Sequence, residues 1–294
     1  MLDLTRLATL REFGMRGTVA ATAQALGYSP SAVSQQLAAL EREAGVPLTA
    51  RSGRGLVLTP AGQRLVARAH DLLATMELAQ DELTSAGGKP SGTVRVAVFQ
   101  SALLTLLPAA LDELRTAHPR LRVLAVQSEP AAALADAWAR DSDLVVAEEY
   151  PHHSAPHHPG IVRRPLLRDR LLLAVAPGAA ASSLPALSQA QWIMEPAGTA
   201  SRHFAEQACR TAGFEPDVRF ETPDLQAHVA MIRGGLAVGF LPSLMADLAG
   251  PDLSTLPLPG DPHRTVFTAT RESSRLDPAV AAVRDALERT ASGR

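Results

Sequence analysis

Residues 20–62 read AATAQALGYSPSAVSQQLAALEREAGVPLTARSGRGLVLTPAG, and this stretch decides how the chain begins. Its apolar spacing and breakers predict a short helix, a tight turn, a second helix opening at Ser29-Pro30, and a basic hairpin. That order is the layout of a winged helix-turn-helix, whose second helix enters a DNA major groove. Thr18 is placed to cap a helix from Val19 to Leu26, its hydroxyl accepting from a free N–H of the first turn. Gly27 ends that helix by taking a left-handed conformation without a Cβ penalty. Ser29 caps the second helix, and Pro30 fills its first position, where an N–H has no helical partner. Val33, Leu37 and Leu40 recur at spacings of four and three and are expected to face the core. The helix closes on Glu43-Ala44-Gly45.

The candidate DNA-contacting residues of this helix are Ser29, Pro30, Ser31, Ser34, Gln35 and Gln36. Gln presents a donor and an acceptor in one plane and pairs bidentately with adenine, and Ser suits either purine. Leu48–Arg51 and Leu56–Thr59 are short extended runs around a Ser52-Gly53-Arg54-Gly55 turn. Arg51 and Arg54 would set two permanent positive charges beside the phosphate backbone. A Ser-Pro helix start alone is merely a helix start, and hairpin arginines are usually solvated. Their joint occurrence in this order points to DNA.

The chain here resembles the LysR-type transcriptional regulators. The resemblance rests on Ala20-Ala21, Leu26, Ser29-Pro30-Ser31-Ala32-Val33-Ser34, Leu37, Leu40-Glu41, Gly45-Val46-Pro47-Leu48, Arg51 and Leu58-Thr59-Pro60-Ala61-Gly62. Thr49 departs from it, standing where the family usually has Phe; the loss of an aromatic under the wing predicts a looser wing. The resemblance implies a two-lobed, periplasmic-binding-protein-like effector domain, a small-molecule effector, and double-stranded operator DNA read as paired half-sites. It also implies a homodimer or homotetramer, with RNA polymerase as a further candidate partner and no cofactor.

Composition agrees with that reading. The 294 residues, 46% hydrophobic and 20% charged, can bury a core and suit a DNA-binding domain plus a larger body. Net charge is only −2, yet up to residue 68 there are eight arginines against four acids. That concentration of positive charge at one end is the asymmetry expected of a DNA-binding domain. Cys209, the sole cysteine, excludes an internal disulfide and falls in a predicted helix near Phe204, Ala205, Ala208 and Ala212, so a buried, inert thiol is expected. The charged N-terminus lacks a signal-peptide pattern. The longest apolar run, Leu171–Ala176, is too short to span a bilayer. A cytoplasmic protein without membrane contact is expected.

Beyond the wing, Thr59-Pro60 opens a long helix and Gly87-Gly88-Lys89-Pro90 closes it. Along it Leu65, Ala69, Leu72, Met76, Ala79 and Leu83 alternate spacings of four and three, the seam of a two-stranded coiled coil. A helix of about 26 residues runs about 39 Å, more than a small domain covers, so dimerisation is preferred. From Thr93 strands and helices alternate: Thr93–Phe99, Leu121–Gln127 and Asp143–Ala147 with helices Leu103–Ala117 and Ala131–Arg140 between them. A second set comprises strand Arg170–Ala176, strand Trp192–Met194, helix Ser201–Ala212, strand Val218–Glu221, helix Leu225–Arg233 and strand Leu236–Phe240. His263–Thr270 reads as a returning strand and Asp277–Thr290 as a closing helix. The expected fold class is therefore a mainly α winged helix-turn-helix joined by a linker helix to an α/β two-lobed body. The expected domains are 1–60, 61–90 and 91–294, with lobe I at about 91–163 and 265–294 and lobe II at about 164–264.

Ligands of open α/β sheets bind beyond the carboxyl ends of the strands, which in two lobes means the cleft between them. That rule selects Phe99, Gln100 and Ser101, then Ser128 and Glu129, then Glu148, in the first lobe. In the second lobe it selects Gly198, Thr199, Thr222 and Phe240. Each is also an ordinary cap or turn residue. Glu129 and Glu148 together would favour an amine or another cation, although Glu148 could instead be solvated or paired with an Arg. His152, His153, His157 and His158 lie within seven residues and could ligate zinc or nickel. Their Pro-rich setting favours an exposed connection, and no metal is assigned. No GxSxG elbow, phosphate loop or HExxH motif is present, so no catalytic residue is expected. A purely architectural DNA binder would not require the two-lobed body.

Overall fold

The computed structural model describes residues 1–53, 55–85, 89–180 and 182–293. The chain forms two compact units, residues 1–88 with 272–277 and residues 89–271 with 278–294.

The first unit opens on α1 (Leu4–Arg16), whose N-cap Asp3 accepts from the Arg6 N–H at 3.0 Å. α2 (Val19–Leu26) and α3 (Pro30–Ala44) carry the caps read from their sequences. The Thr18 and Ser29 hydroxyls accept from the Ala21 and Ala32 N–H groups, each at 3.2 Å. Gly27 has φ of 66°, in the left-handed region that turns the chain from α2 into α3. Val33, Leu37 and Leu40 are buried with Leu7, Leu10 and Phe13 of α1. β1 (Thr49–Ser52) and β2 (Gly55–Leu58) pair antiparallel from Thr49–Leu58 to Ser52–Gly55, forming the hairpin; Arg54 lies outside the described residues.

The wing is not loosened at Thr49. Glu41 Oε1 accepts from the Leu48 N–H at 2.9 Å, the Thr49 N–H at 2.7 Å and the Thr49 hydroxyl at 2.9 Å. Such bonds to a carboxylate are stronger than neutral ones, so a polar anchor stands in for the aromatic.

α4 (Pro60–Ser85) starts under this wing. Gly62 is required there, since a Cβ would sit 2.0 Å from the Leu48 carbonyl oxygen. The expected helix stop at Gly87-Gly88 lies outside the described residues. The predicted seam divides into two parts. Ala69 is buried and Leu65 partly buried in the unit's own core, whereas Leu72, Met76 and Leu83 are 46%, 43% and 78% exposed. The first two positions are therefore corrected from partner-facing to core.

In the second unit β3 (Gly92–Val98) is followed by α5 (Gln100–Thr105), α6 (Leu107–Ala117), β4 (Leu121–Gln127), α7 (Pro130–Ala139) and β5 (Leu144–Glu149). β3 pairs in parallel with both β4 and β5, as a βαβαβ unit requires. The single helix expected over Leu103–Ala117 is two, because Pro108 in the first turn of α6 has no N–H to continue the α5 ladder. The chain continues through β6 (Ile161–Val175), β7 (Gln191–Met194), α8 (Ala200–Thr211), β8 (Asp217–Glu221), α9 (Leu225–Arg233), β9 (Gly239–Pro242), α10 (Ser243–Ala249), β10 (Ser254–Pro257), β11 (His263–Arg271) and α11 (Pro278–Ser292).

β6 crosses between the lobes. Its residues Ile161–Arg170 pair with β11, and Leu171–Ala174 with β9. One sheet of order β10-β6-β11-β5-β3-β4, with β9 also on β6, thus runs through both, while β7 and β8 form a separate parallel pair. Side chains alternate across the first lobe's sheet as strand geometry dictates. Val94, Val96 and Val98 pack with Leu107, Leu114 and Val283, and Ala97, Val145 and Ala147 pack with Leu134 and Ala137. In the second lobe Trp192 is fully buried and stacks on Phe240 with centroids 5.3 Å apart.

Candidate functional site

On α3, Ser31, Ser34 and Gln35 are exposed, Gln36 is half-buried, and Pro30 occupies the exposed first position. The Ser29 hydroxyl is engaged as cap and lies 2.9 Å from the Ser31 hydroxyl, and the Ser34 hydroxyl donates to the Pro30 carbonyl at 3.0 Å. Gln35 is therefore the exposed amide best suited to a base edge. Thr18, Ser34, Arg51 and Gly53 line one groove, so the α3 N-terminal half and the wing bound a common surface. Not all the local positive charge reaches it. Arg11 is buried and bonded to Glu12 at 2.6 Å, and Arg6 pairs with Glu43, whereas Arg42, Arg51, Arg64 and Arg68 are exposed.

In the second unit the chemistry converges on Arg264 of β11, 1% exposed. Its Nε and Nη2 donate to Asp169 Oδ2 at 2.9 and 2.6 Å, Nη2 donates also to Ser101 Oγ at 2.6 Å, and Nη1 donates to Glu148. Asp169 Oδ1 in turn accepts from the Ser243 hydroxyl at 2.6 Å and the Leu244 N–H at 3.1 Å. Burying a guanidinium costs several kcal/mol of hydration, offset here by a full set of acceptors. Burial alone would lower the Arg264 pKa, but Glu148, Tyr150 and Asp169 outweigh it and raise it.

Two linked cavities lie above this network. The outer one, about 180 Å³, is lined by Glu129 and Glu148 from the first lobe and by Glu195, Gly198, Thr199 and Ser201 from the second. It shares Glu195 and Ser201 with a small inner void of about 20 Å³, room for about one water, lined also by Tyr150, Met194, Arg202, Phe204, His228 and Phe240. Burial pushes the Glu148 carboxyl up to about 7 against the pull of Arg264, with Glu129 and Asp169 adding to the rise. Burial, then repulsion from Glu148, pushes Glu195 up to about 8. Partial burial also raises Glu129.

Glu129, Glu148, Gly198, Thr199 and Phe240 are thus brought to these cavities, while Phe99, Gln100, Ser101, Ser128 and Thr222 line neither. Phe99 is a core residue whose ring lies 5.1 Å below the Arg264 guanidinium, and Ser101 is fully buried under the same group. The Ser128 N–H caps β3 by donating to the Val98 carbonyl at 3.0 Å. The Thr222 hydroxyl accepts from the Asp224 N–H at 3.2 Å, and Gln100 is bonded to Asp224. Arg264 and Asp169 escaped sequence reasoning because neither follows a strand end. Glu195 was missed although it directly follows β7, the position the strand-end rule selects. The histidines do not converge: His158 stacks on Trp138 and His153 against His203. Among the described residues no group of three or more His, Cys, Asp or Glu could hold a metal.

A winged helix-turn-helix joined to a two-lobed α/β body with an interlobe cavity defines a ligand-responsive transcription factor. Residues 4–63 match the bacterial regulatory helix-turn-helix of the lysR family and residues 87–292 the LysR substrate binding domain, so the chain belongs to the LysR family of transcriptional regulators. It is 27% identical to the transcriptional dual regulator GltC of Bacillus subtilis over 82% of this chain and 81% of that one. It is 30% identical to a probable hydrogen peroxide-inducible genes activator of Streptomyces viridosporus over 75% of this chain and 71% of that one. Its fold is similar to that of a full-length OxyR cysteine variant from Pseudomonas aeruginosa, with a TM-score of 0.70 at 20% identity, covering 98% of this chain and 95% of the other. Among the described residues no helix is long and apolar enough to cross a membrane.

Proposed function

We propose that this LysR-type regulator reads operator DNA through Ser31, Ser34, Gln35, Gln36 and Arg51, pairs through the outer part of α4, and answers a small effector held between its two lobes. The observation that carries the effector reading is the outer cavity, whose walls come from both lobes at Glu129, Glu148, Glu195 and Thr199. A ligand there gains contacts that depend on lobe spacing, and only such differential contacts shift a two-state protein. Exposed Leu72, Met76 and Leu83 support a homodimer or higher assembly, as paired half-sites demand. RNA polymerase is the further partner through which bound DNA becomes a transcriptional output, and the cytoplasm is where both are met.

The peroxide response named for one relative does not suit this chain. Cys209 is its sole cysteine and is buried, and burial, with Glu215 and Glu206 adding, pushes its thiol up to about 12. Reaction with peroxide needs a thiolate. Sensing by non-covalent binding remains the supported reading.

The test is footprinting of the DNA upstream of the regulator's own gene with the full chain, with and without fractionated metabolites. A protected, metabolite-sensitive site is expected. Ala131, exposed on the rim of the outer cavity, offers the control: Ala131→Trp should keep the footprint and lose its metabolite dependence. A response as strong as wild type in that variant would mean a site elsewhere.

A further inference from the structure

Two adjacent residues of α10 are packed into different lobes. Leu244 is buried with Val94, Phe99 and Ala102 in the core of the first lobe, and Met245 is buried with Ile193, Leu225 and Leu241 in the core of the second. Packed cores rearrange between discrete arrangements rather than deforming continuously. A helix seated in both must therefore reseat when the lobes change their spacing, and what holds its first turn bears on that spacing.

Asp169 holds it, with Oδ1 accepting from the Ser243 hydroxyl at 2.6 Å and the Leu244 N–H at 3.1 Å. Asp169 Oδ2 takes both Nε and Nη2 of Arg264, its partner in the β6–β11 register. Arg264 reaches the first lobe through Nη2 on Ser101 and Nη1 on Glu148. The Asp169 and Arg264 side chains are 0% and 1% exposed, so water cannot make good a bond that either loses. Glu148 differs, being 12% exposed and lining the outer cavity. It is also the weaker arm, taking one hydrogen bond from the guanidinium through Oε2 where Asp169 takes two.

We propose that Glu148 is a positioning residue, coupling occupancy of the outer cavity to α10 through Arg264 and Asp169. A ligand O–H or N–H that bonds the Glu148 carboxyl competes with Arg264 Nη1 for it. The guanidinium, freed of that arm, stays on Asp169 and turns with it. Asp169 then carries the first turn of α10, and Leu244 and Met245 reseat in the two cores. Each step passes between groups in direct contact, as coupling through a packed network requires. The ligand class so selected is a hydrogen-bond donor. That part rests on the interlobe reading above, whereas the coupling of Glu148 to α10 does not.

Amide exchange of the full-length protein tests the coupling, with α8 as internal reference because none of its residues joins this network. Glu148→Ala, and Glu148→Leu, which keeps more of the volume, should each speed exchange at Leu244 about fivefold or more relative to α8. Glu148→Gln, whose amide oxygen still accepts from Nη1, should return it to within about twofold of wild type. Ser243→Ala, at the far end, is combined with Glu148→Leu in a double-mutant cycle on urea unfolding. The unfolding constant of the double variant should depart from the product of the single effects by about threefold or more. Exchange at Leu244 that merely follows α8, no rescue by Gln, or additive effects in the cycle would overturn the coupling. A footprint response to fractionated metabolites that Ala131→Trp abolishes but Glu148→Leu leaves intact would overturn the ligand's use of Glu148 and leave the interlobe reading standing. A response that survives Ala131→Trp would overturn that reading and the ligand's part with it, and the exchange and cycle results would still decide the coupling.

Discussion

Gln100 clasps Asp224 across 124 residues of sequence: Gln100 Nε2 donates to Asp224 Oδ1 at 2.7 Å, and Gln100 Oε1 accepts from the Leu225 N–H at 2.7 Å. Gln100 stands at the first turn of α5 in the first lobe, and Asp224 is the N-cap of α9 in the second. The bond from Gln100 is also the main cause holding the Asp224 carboxyl below its usual range. A residue selected by sequence as a ligand contact thus ties one lobe to the other.

Replacing it tests that role. Gln100→Ala removes two hydrogen bonds, each worth about 1 kcal/mol net, so the fold should survive. Amide exchange at the start of α9, around Leu225 and Gln226, should accelerate, and effector concentration dependence should shift. Exchange rates unchanged from wild type would show that the lobes are held by other contacts.

Arg264 should matter more to stability than any single residue facing the cavities. Arg264→Met leaves the fully buried Asp169 without its counter-charge and Glu148 without its donor, a loss of about 3–5 kcal/mol. Arg264→Lys should recover only part of it, since one ammonium cannot fork to Asp169, Ser101 and Glu148 together. Urea unfolding decides the matter. A Met variant within about 1 kcal/mol of wild type would mean that the network is dispensable to the fold.

What sequence could and could not disclose follows from range. Caps at Thr18 and Ser29 and the buried stripe Val33, Leu37 and Leu40 are local facts, decided within a few residues, and they were legible. So were β3 and β4, whose apolar runs lie beside one edge of the sheet and at that edge. The part of β6 before Arg170 was not: Arg163, Arg164, Arg168, Asp169 and Pro165 disguise a strand as a polar loop. The structure resolves the conflict by pairing. Arg163 donates to Glu149 at 2.7 Å and lies over the Phe267 ring, and Pro165 sits at a register shift where a missing N–H is tolerated. The Ser101–Glu148–Asp169–Arg264 network joins four distant segments, and one sequence without its fold has no local pattern that reveals it.

Stability should fall as pH rises through neutrality. Glu148 and Glu195 have native values of about 7 and about 8 against an ordinary 4.5, so the native state holds protons that the unfolded chain has released. Between about pH 5 and about pH 8 the native state binds more protons than the unfolded one, and the slope of stability against pH is negative. Calorimetric melting of wild type and Glu195→Gln across this window checks it. The variant should show the shallower decline, and parallel curves would mean that Glu195 does not hold its proton.

Leu72 and Ala69 sit three residues apart on α4 and should fail differently. Leu72→Glu adds a charge to an exposed position, so the fold should persist while sedimentation shifts toward monomer and paired half-sites lose binding. Ala69→Glu forces a charge into the core shared with Leu7, Leu10 and Phe13 and should unfold the first unit. Circular dichroism separates the two effects. A Leu72→Glu protein that sediments like wild type would show that other surfaces hold the assembly.

Gln35 and Arg51 should separate sequence reading from charge. Gln35 is exposed on the N-terminal half of α3, where one planar amide can contact one base, so Gln35→Ala should cost about 1–3 kcal/mol at a single position of the operator and relax preference there. Arg51 is exposed on β1 and lines the same groove as Ser34, a setting suited to a phosphate. Arg51→Ala should weaken matched and mismatched operators alike and reduce the slope of log affinity against log salt by about one. Titrations on single-base operator variants at several salt concentrations distinguish the roles. If Gln35→Ala weakens every operator equally, or Arg51→Ala leaves the salt slope unchanged, the assignment of base and phosphate contacts is wrong.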